Sequence, residues 1–306
     1  MKKYTIIILF ILACSSSEVE KNIPEFDGNI AYEYIIEQCD FGPRNPGSIG
    51  HQQFANFLEG YLLKNSDKVI IQDFNYLEHI TGEDRLGKNL VAQFNLEAEE
   101  RLLIGAHWDT RAVADEDPNP DNRSIPILGA NDGASGTAVL MELALIFNKN
   151  KPPIGIDMVF FDAEDVGISG QPRSYAMGSE YFSKNLPIPK SDFGIIVDMV
   201  GDKNLNILIE RFSYTIDKKR VIELWDLANE LNLRGFKKEI GYEVYDDHVP
   251  LWENANIPTI DIIDFDYPNI FYNHWHTQND TPENCSAQSL GQVGTLLVNY
   301  IYDKAL

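Results

Sequence analysis

The segment Phe160-Phe161-Asp162-Ala163-Glu164-Asp165 sets an apolar run, Met158 to Phe161, directly against three carboxylates. A buried carboxylate without a partner is costly and tends to neutralise by a shift in its pKa. Acids placed at the end of a buried strand therefore call for a cation to hold or a proton to move. Metal binding and general acid–base catalysis are the two chemistries that use them. The same juxtaposition recurs elsewhere: Leu102 to Ala106 runs into His107-Trp108-Asp109, and Ile195 to Val197 runs into Asp198. One acid closing a strand is unremarkable. Three strands ending this way, one with a histidine, make a constellation.

Two further stretches fit it. Gly129-Ala130-Asn131-Asp132-Gly133-Ala134-Ser135-Gly136 puts Asp132 at the start of an expected helix, whose positive end favours an anion. An ordinary helix cap would look the same. His274-Trp275-His276-Thr277 supplies imidazoles from a loop. A mixed set of histidine and carboxylates with an open position suits catalytic zinc.

For these residues to meet, their strands must lie side by side. The runs 102–106, 156–161 and 193–197 are almost continuously apolar, as expected of central parallel strands covered on both faces. Residues 69–77 and 88–96 alternate like antiparallel strands, and 259–263 reads as another strand. Helical spacing marks 29–41, 48–65 with Ser48 as its cap, 134–147, 220–231 and 287–300. Alternating strands and helices predict an α/β fold: one three-layer domain with a mixed, mostly parallel sheet covered by helices. Such sheets bind ligands at the carboxyl ends of their strands, which lie about 5 Å apart. The connection 111–127, with Asp115-Glu116-Asp117-Pro118, lacks the spacing of a calcium loop and reads as a solvated surface loop.

The 306 residues allow a sizeable core, with 44% hydrophobic and 24% charged residues. Acids outnumber bases 47 to 25, a net charge of −22 that argues against nucleic-acid partners. Lys2 and Lys3, the apolar run Ile6 to Ala13 and then Cys14 describe an export signal too short to span a membrane. Ile11-Leu12-Ala13-Cys14 resembles a bacterial lipobox, implying a signal over 1–14, lipidation at Cys14, a polar tether over 15–28 and a catalytic domain over 29–306. Such a protein is exported and lipid-anchored to a bacterial membrane. Export also permits a disulfide between Cys39 and Cys285.

The stretches AHWDT, GANDGASG, FFDAED, IVDMVG and WHT occur in the order and style of the zinc-dependent aminopeptidases and glutaminyl cyclases, which share one α/β fold. The resemblance implies either of two sites. An aminopeptidase would hold two zinc ions through His107, Asp132 as bridge, Asp165, Asp198 and His276, with Glu164 as base. A cyclase would hold one through Asp132, Asp165 and His276, and Asp198 would join an acid network with Asp247. The stretch Asp246-Asp247-His248-Val249-Pro250 and the Trp275-His276-Thr277 loop are similar to the cyclases, where Trp275 would line the substrate pocket; Asp165 departs from the animal enzymes, which carry Glu there. The expected reaction turns N-terminal glutamine of a peptide into pyroglutamate and ammonia. Asp109 is expected to support the ligands from behind. An inactive binding protein on the same fold would normally have lost a ligand or the base, and none is missing.

Overall fold

A computed structural model describes residues 23–304 of the chain. The expected signal, Cys14 and the tether up to residue 22 lie outside the described residues. The chain enters through Ile23 and Phe26, which pack on the main core. It then forms α1 (Gly28–Asp40), α2 (Ile49–Asn65), β1 (Lys68–Glu78), β2 (Glu83–Phe94), β3 (Arg101–His107), α3 (Ala134–Lys149), β4 (Gly155–Phe161), α4 (Met177–Lys184) and β5 (Phe193–Asp198). There follow β6 (Ile207–Ile209), α5 (Arg211–Ile216), α6 (Lys218–Glu230), β7 (Phe236–Ile240), α7 (His248–Ala255), β8 (Thr259–Ile263), the short β9 (Pro268–Asn269) and β10 (Tyr272–Asn273), and α8 (Ala287–Asn299).

The main sheet has the order β1-β2-β4-β3-β5-β8. β1 pairs antiparallel with β2, and β2 antiparallel with β4. β4, β3, β5 and β8 run parallel. The expected mixed sheet is therefore present, with its carboxyl edge formed by four strands that point the same way. Along these strands successive residues split between two cores. Leu102, Ile104, Ala106, Met158, Phe160, Ile195 and Val197 face one; Leu103, Val159, Phe161 and Ile196 face the other. That two-residue period is why the strands read as unbroken apolar runs.

Ser48 caps α2 by accepting the backbone N–H of His51, as its position predicts. β2 begins at Glu83 rather than Lys88, because its first residues are charged, exposed and paired only with the end of β1. The short α4, α5, β6 and β7 were not legible as elements. α3 is almost wholly buried against the sheet. Its first turn passes so close to β5 that a Cβ on Gly136 would sit 2.0 Å from the carbonyl oxygen of Val197. Glycine at this position lets α3 approach, which brings Asp132 beside Asp198. Cys39 and Cys285 are both free thiols. Among the described residues no helix is long and apolar enough to cross a membrane.

Candidate active site

The carboxyl edge gathers the expected ligands. His276 Nε2 lies 3.0 Å from Asp165 Oδ1 and 3.7 Å from Asp132 Oδ2. Donor atoms of these three buried residues all lie within 4.8 Å of one another. Among the described residues, Asp132 Oδ2 and Asp165 Oδ2 are buried without any hydrogen-bond partner. Burial, with the charge of Asp165 beside it, pushes Asp132 up to about 6. A dication removes that conflict, and one imidazole with two carboxylates on a cavity wall is a donor set that fits zinc.

A second set shares Asp132. His107 Nε2 stands 3.1 Å from Asp198 Oδ1 and 3.2 Å from Asp132 Oδ1, and donor atoms of the three residues also fall within 4.8 Å. Residue types and spacing therefore accommodate either one ion or two.

Behind the ligands stand groups that aim them. Asp109 accepts the backbone N–H of Glu164 on Oδ1 at 3.0 Å and that of Asp165 on Oδ2 at 3.2 Å; its Oδ1 is also 3.5 Å from His107 Nδ1. It holds in place the turn that carries Glu164 and Asp165. Asp162, whose role was undefined from sequence, is held by His51 Nε2 at 2.8 Å and by the Lys88 N–H at 2.7 Å. Its carboxylate anchors the turn that carries Glu164 and Asp165. Three non-glycine residues in that neighbourhood adopt left-handed backbone: Ala163 (φ 57), Met199 (φ 49) and His276 itself (φ 54). Such conformations cost about 1–3 kcal/mol each and persist where surrounding contacts enforce them. Here they turn the site side chains away from their strands.

The connection 111–127 corrects the sequence reading. It is no freely solvated loop: Arg111, Ala114, Asp117 and Ile127 are buried. Arg111 donates from Nε and Nη2 to the two oxygens of Asp115, each at 2.6 Å, and from Nη1 to Asp165 Oδ1 at 3.2 Å. Asp115 Oδ1 in turn lies 3.5 Å from His276 Nδ1. One guanidinium thus braces one proposed ligand directly and holds a carboxylate beside the ring of another. Asp117 accepts the Gln278 N–H at 2.9 Å and docks the connection on the His276 loop. Asp280 accepts the backbone N–H groups of Asn131 and Asp132 at 2.8 and 3.1 Å. Sequence reasoning missed Arg111, Asp115 and Asp280; the only available signal was their closeness to AHWDT and WHT.

A cavity of about 280 Å³ opens onto this edge, walled by Glu164, Asp198, Asp246, Met199, Phe265 and Trp275. Trp275 stacks on His276 with ring centroids 3.6 Å apart. Glu164 is buried, and its carboxyl sits well above the ordinary range. Burial is the main cause; the charges of Asp246, Asp165 and Asp247 add to it, against His107. Asp247, expected to partner Asp198, does not face the cavity; its neighbour Asp246 does. Asp247 directly precedes α7 and is fully buried, with neither oxygen hydrogen-bonded among the described residues. His274 packs edge-on against Tyr267 and Tyr272, apart from the ligand sets.

The fold and site together define a metal-dependent α/β enzyme with its reaction centre at the carboxyl edge of a mixed sheet. More narrowly, the chain belongs to peptidase family M28, whose model matches residues 89–301. A solved glutaminyl cyclase from Bacteroides thetaiotaomicron, bound to N-acetylhistamine, is similar at a TM-score of 0.89 and 35% identity, over 92% of this chain and 99% of that one. A leucine aminopeptidase precursor from the same species reaches 0.88 and 36%, with the same coverage. The glutaminyl-peptide cyclotransferase of the snake Boiga dendrophila is 22% identical over 293 residues, 85% of this chain and 77% of its own length.

Proposed function

We propose that this chain is a zinc-dependent glutaminyl-peptide cyclotransferase, converting N-terminal glutamine of peptides or proteins to pyroglutamate with release of ammonia. The observation that carries the reading is the meeting of three acids, Glu164, Asp198 and Asp246, on one small cavity with the ligand set at its end and Trp275 on its wall. Zinc held by Asp132, Asp165 and His276 would supply Lewis acidity toward the side-chain amide carbonyl. The nucleophile is the substrate's own α-amine, so no water need be activated. Glu164 takes a proton from the attacking amine and delivers it to the departing nitrogen, which leaves as ammonia. Asp198 and Asp246 face the amine, and Trp275 packs on the glutamine side chain. Holding amine and amide carbon together supplies much of the acceleration, because the ring closure is intramolecular. In this one-ion reading His107 donates its Nε2 hydrogen to Asp198 and fills the place of a second ion.

A two-ion aminopeptidase is the second reading, favoured by the closeness of His107, Asp132 and Asp198. Offering the enzyme a glutamine-initiated peptide and a leucine arylamide separates the two. Ammonia release with one zinc per chain supports the cyclase; arylamine release with two zinc ions overturns it. The N-terminal pattern supports export and lipid tethering at Cys14 as part of the same reading. Cys14→Ser should move the protein from the membrane fraction to the soluble one, and an unchanged distribution would remove the anchor. The acidic charge supports peptide rather than nucleic-acid partners.

A further inference from the structure

At about 280 Å³ the cavity has room for one terminal residue of a peptide, so the rest of the chain must leave through its mouth. Two lips frame that mouth: Pro172 and Tyr175 stand on one, Tyr242, Glu243 and Tyr245 on the other. Both lips are held. Ser174 Oγ accepts the Ile168 N–H and donates to the Gln171 carbonyl, each at 2.7 Å. Opposite, the Tyr242 carbonyl accepts the Arg211 N–H at 2.9 Å, and the Val244 N–H donates to Glu210 Oε1 at 3.1 Å. Walls set in advance spare a ligand the cost of ordering them. Outside the lips runs a groove of about 600 Å³ that starts on the same residues, since Pro172, Glu243 and Tyr245 line both spaces. His79, Arg173 and Phe212 form its further wall. A hollow that shares Tyr242 and Phe265 with the cavity measures about 20 Å³, room for a water or two and no side chain. The charges on the groove are unequal. Arg173 is fully engaged: Nη1 and Nη2 donate to the two oxygens of Glu253 at 2.9 and 3.0 Å, and the guanidinium lies 5.6 Å from the centre of the Tyr245 ring. Glu243, exposed on the shared rim, has no hydrogen bond or ion pair among the described residues.

We propose that this groove receives the peptide beyond its N-terminal residue, and that Glu243 selects a basic side chain at the position directly after it. The inference rests on the cyclase reading, in which glutamine fills the cavity. With the amine toward Asp198 and Asp246 and the side chain against Trp275, the glutamine carbonyl is what remains to face the mouth. An extended chain advances about 3.3–3.6 Å per residue, so the next residue crosses the rim between Pro172 and Tyr245. The rings of those two residues cover the apolar stem of a lysine or arginine, whose charged head stays in water beside Glu243. An acidic side chain at the same position meets Glu243 with like charge, on a molecule that already carries a net charge of −22. Glu243 touches no reacting atom; it sets which peptides are used.

The test uses the full chain and two peptides that differ only after the first residue, Gln-Lys-Ala-Ala and Gln-Glu-Ala-Ala, with a matching pair that begins with leucine. An exposed charge pair changes an equilibrium about two- to fivefold, and attraction in one peptide compounds with repulsion in the other. At low salt kcat/KM should therefore favour lysine over glutamate by about fivefold or more, mostly through KM. Glu243→Lys should invert that order, and high salt should bring the wild-type ratio toward one. Equal use of the two peptides by the wild type at low salt overturns the proposal, as does an unchanged ratio in Glu243→Lys. If only the leucine peptides are turned over, the cyclase reading fails while their lysine-to-glutamate ratio still decides the groove. If neither pair is turned over, calorimetric affinities for the intact glutamine peptides give the same ratio, and equal affinities refute the groove.

Discussion

Glu164 and Asp165 are neighbours in the chain with different tasks, and the turn at Ala163 separates them. Asp165 is aimed at His276, whereas Glu164 lines the cavity wall and forms no ion pair among the described residues. Glu164→Gln keeps the size of the side chain and removes its basicity. Turnover should fall by about 10²–10⁴ with zinc content unchanged, and a variant within a few-fold of wild type would remove Glu164 as the proton carrier. Asp132→Ala should lose the metal itself; zinc analysis showing a full equivalent would refute its place in the ligand set. Arg111→Lys cannot reproduce the forked contact to Asp115 together with the contact to Asp165. Zinc affinity should weaken about 10–100-fold, measured by competition with a chelator, while the folded spectrum persists. These roles were unequally legible. Glu164, Asp165 and Asp198 stand where apolar runs break into acids, Asp132 at the start of a helix and His276 in a loop of imidazoles, all local signals. Arg111, Asp115 and Asp280 matter because of which loops meet, and no local pattern encodes that. Asp246 and Asp247 are adjacent acids at the start of a helix. Which of them reaches the cavity is decided by the rotation of α7.

At the scale of elements, the site depends on how closely α3 and α5 approach the sheet. Gly136→Ala would force α3 off β5, since the added methyl overlaps backbone and not a movable side chain. Overpacking of this kind costs about 1–3 kcal/mol, visible as a lowered melting temperature, and zinc binding should weaken as Asp132 and Asp198 separate. An unchanged melting curve would refute the close approach. Glu210 caps α5, and its Oε2 lies 3.3 Å from His248 Nε2. Burial opposes its ionisation, yet the neighbouring His248 and the hydrogen bonds from the Ser213 and Phe212 N–H groups outweigh this and bring its pKa down to about 2. A depressed carboxyl stabilises the fold fully above its unfolded value of about 4.3 and loses that contribution as pH falls toward about 2. Glu210→Gln should therefore flatten the loss of stability over that acid window, and an identical acid profile would contradict the capping role. The strands and long helices were readable because burial on two faces leaves continuous apolar runs and burial on one leaves a period. α4, α5, β6 and β7 are too short to leave either.

Across the whole molecule, the proposed ligands come from points spread between Asp132 and His276, so a bound metal would tie together loops that the chain itself does not join locally. The connection 111–127 shares this dependence. Its inner end is held by Arg111 against Asp165, its outer part by Asp117 against the His276 loop, and Arg123 within it is exposed. With zinc stripped from the proposed site, Asp165 and His276 would regain mutual freedom and the brace would have nothing fixed to grip. Metal loading would thereby be converted into protease resistance. Tryptic cleavage after Arg123 should accelerate on chelation and slow again when zinc is restored, making one peptide bond far from the chemistry a reporter of how many molecules carry the ion.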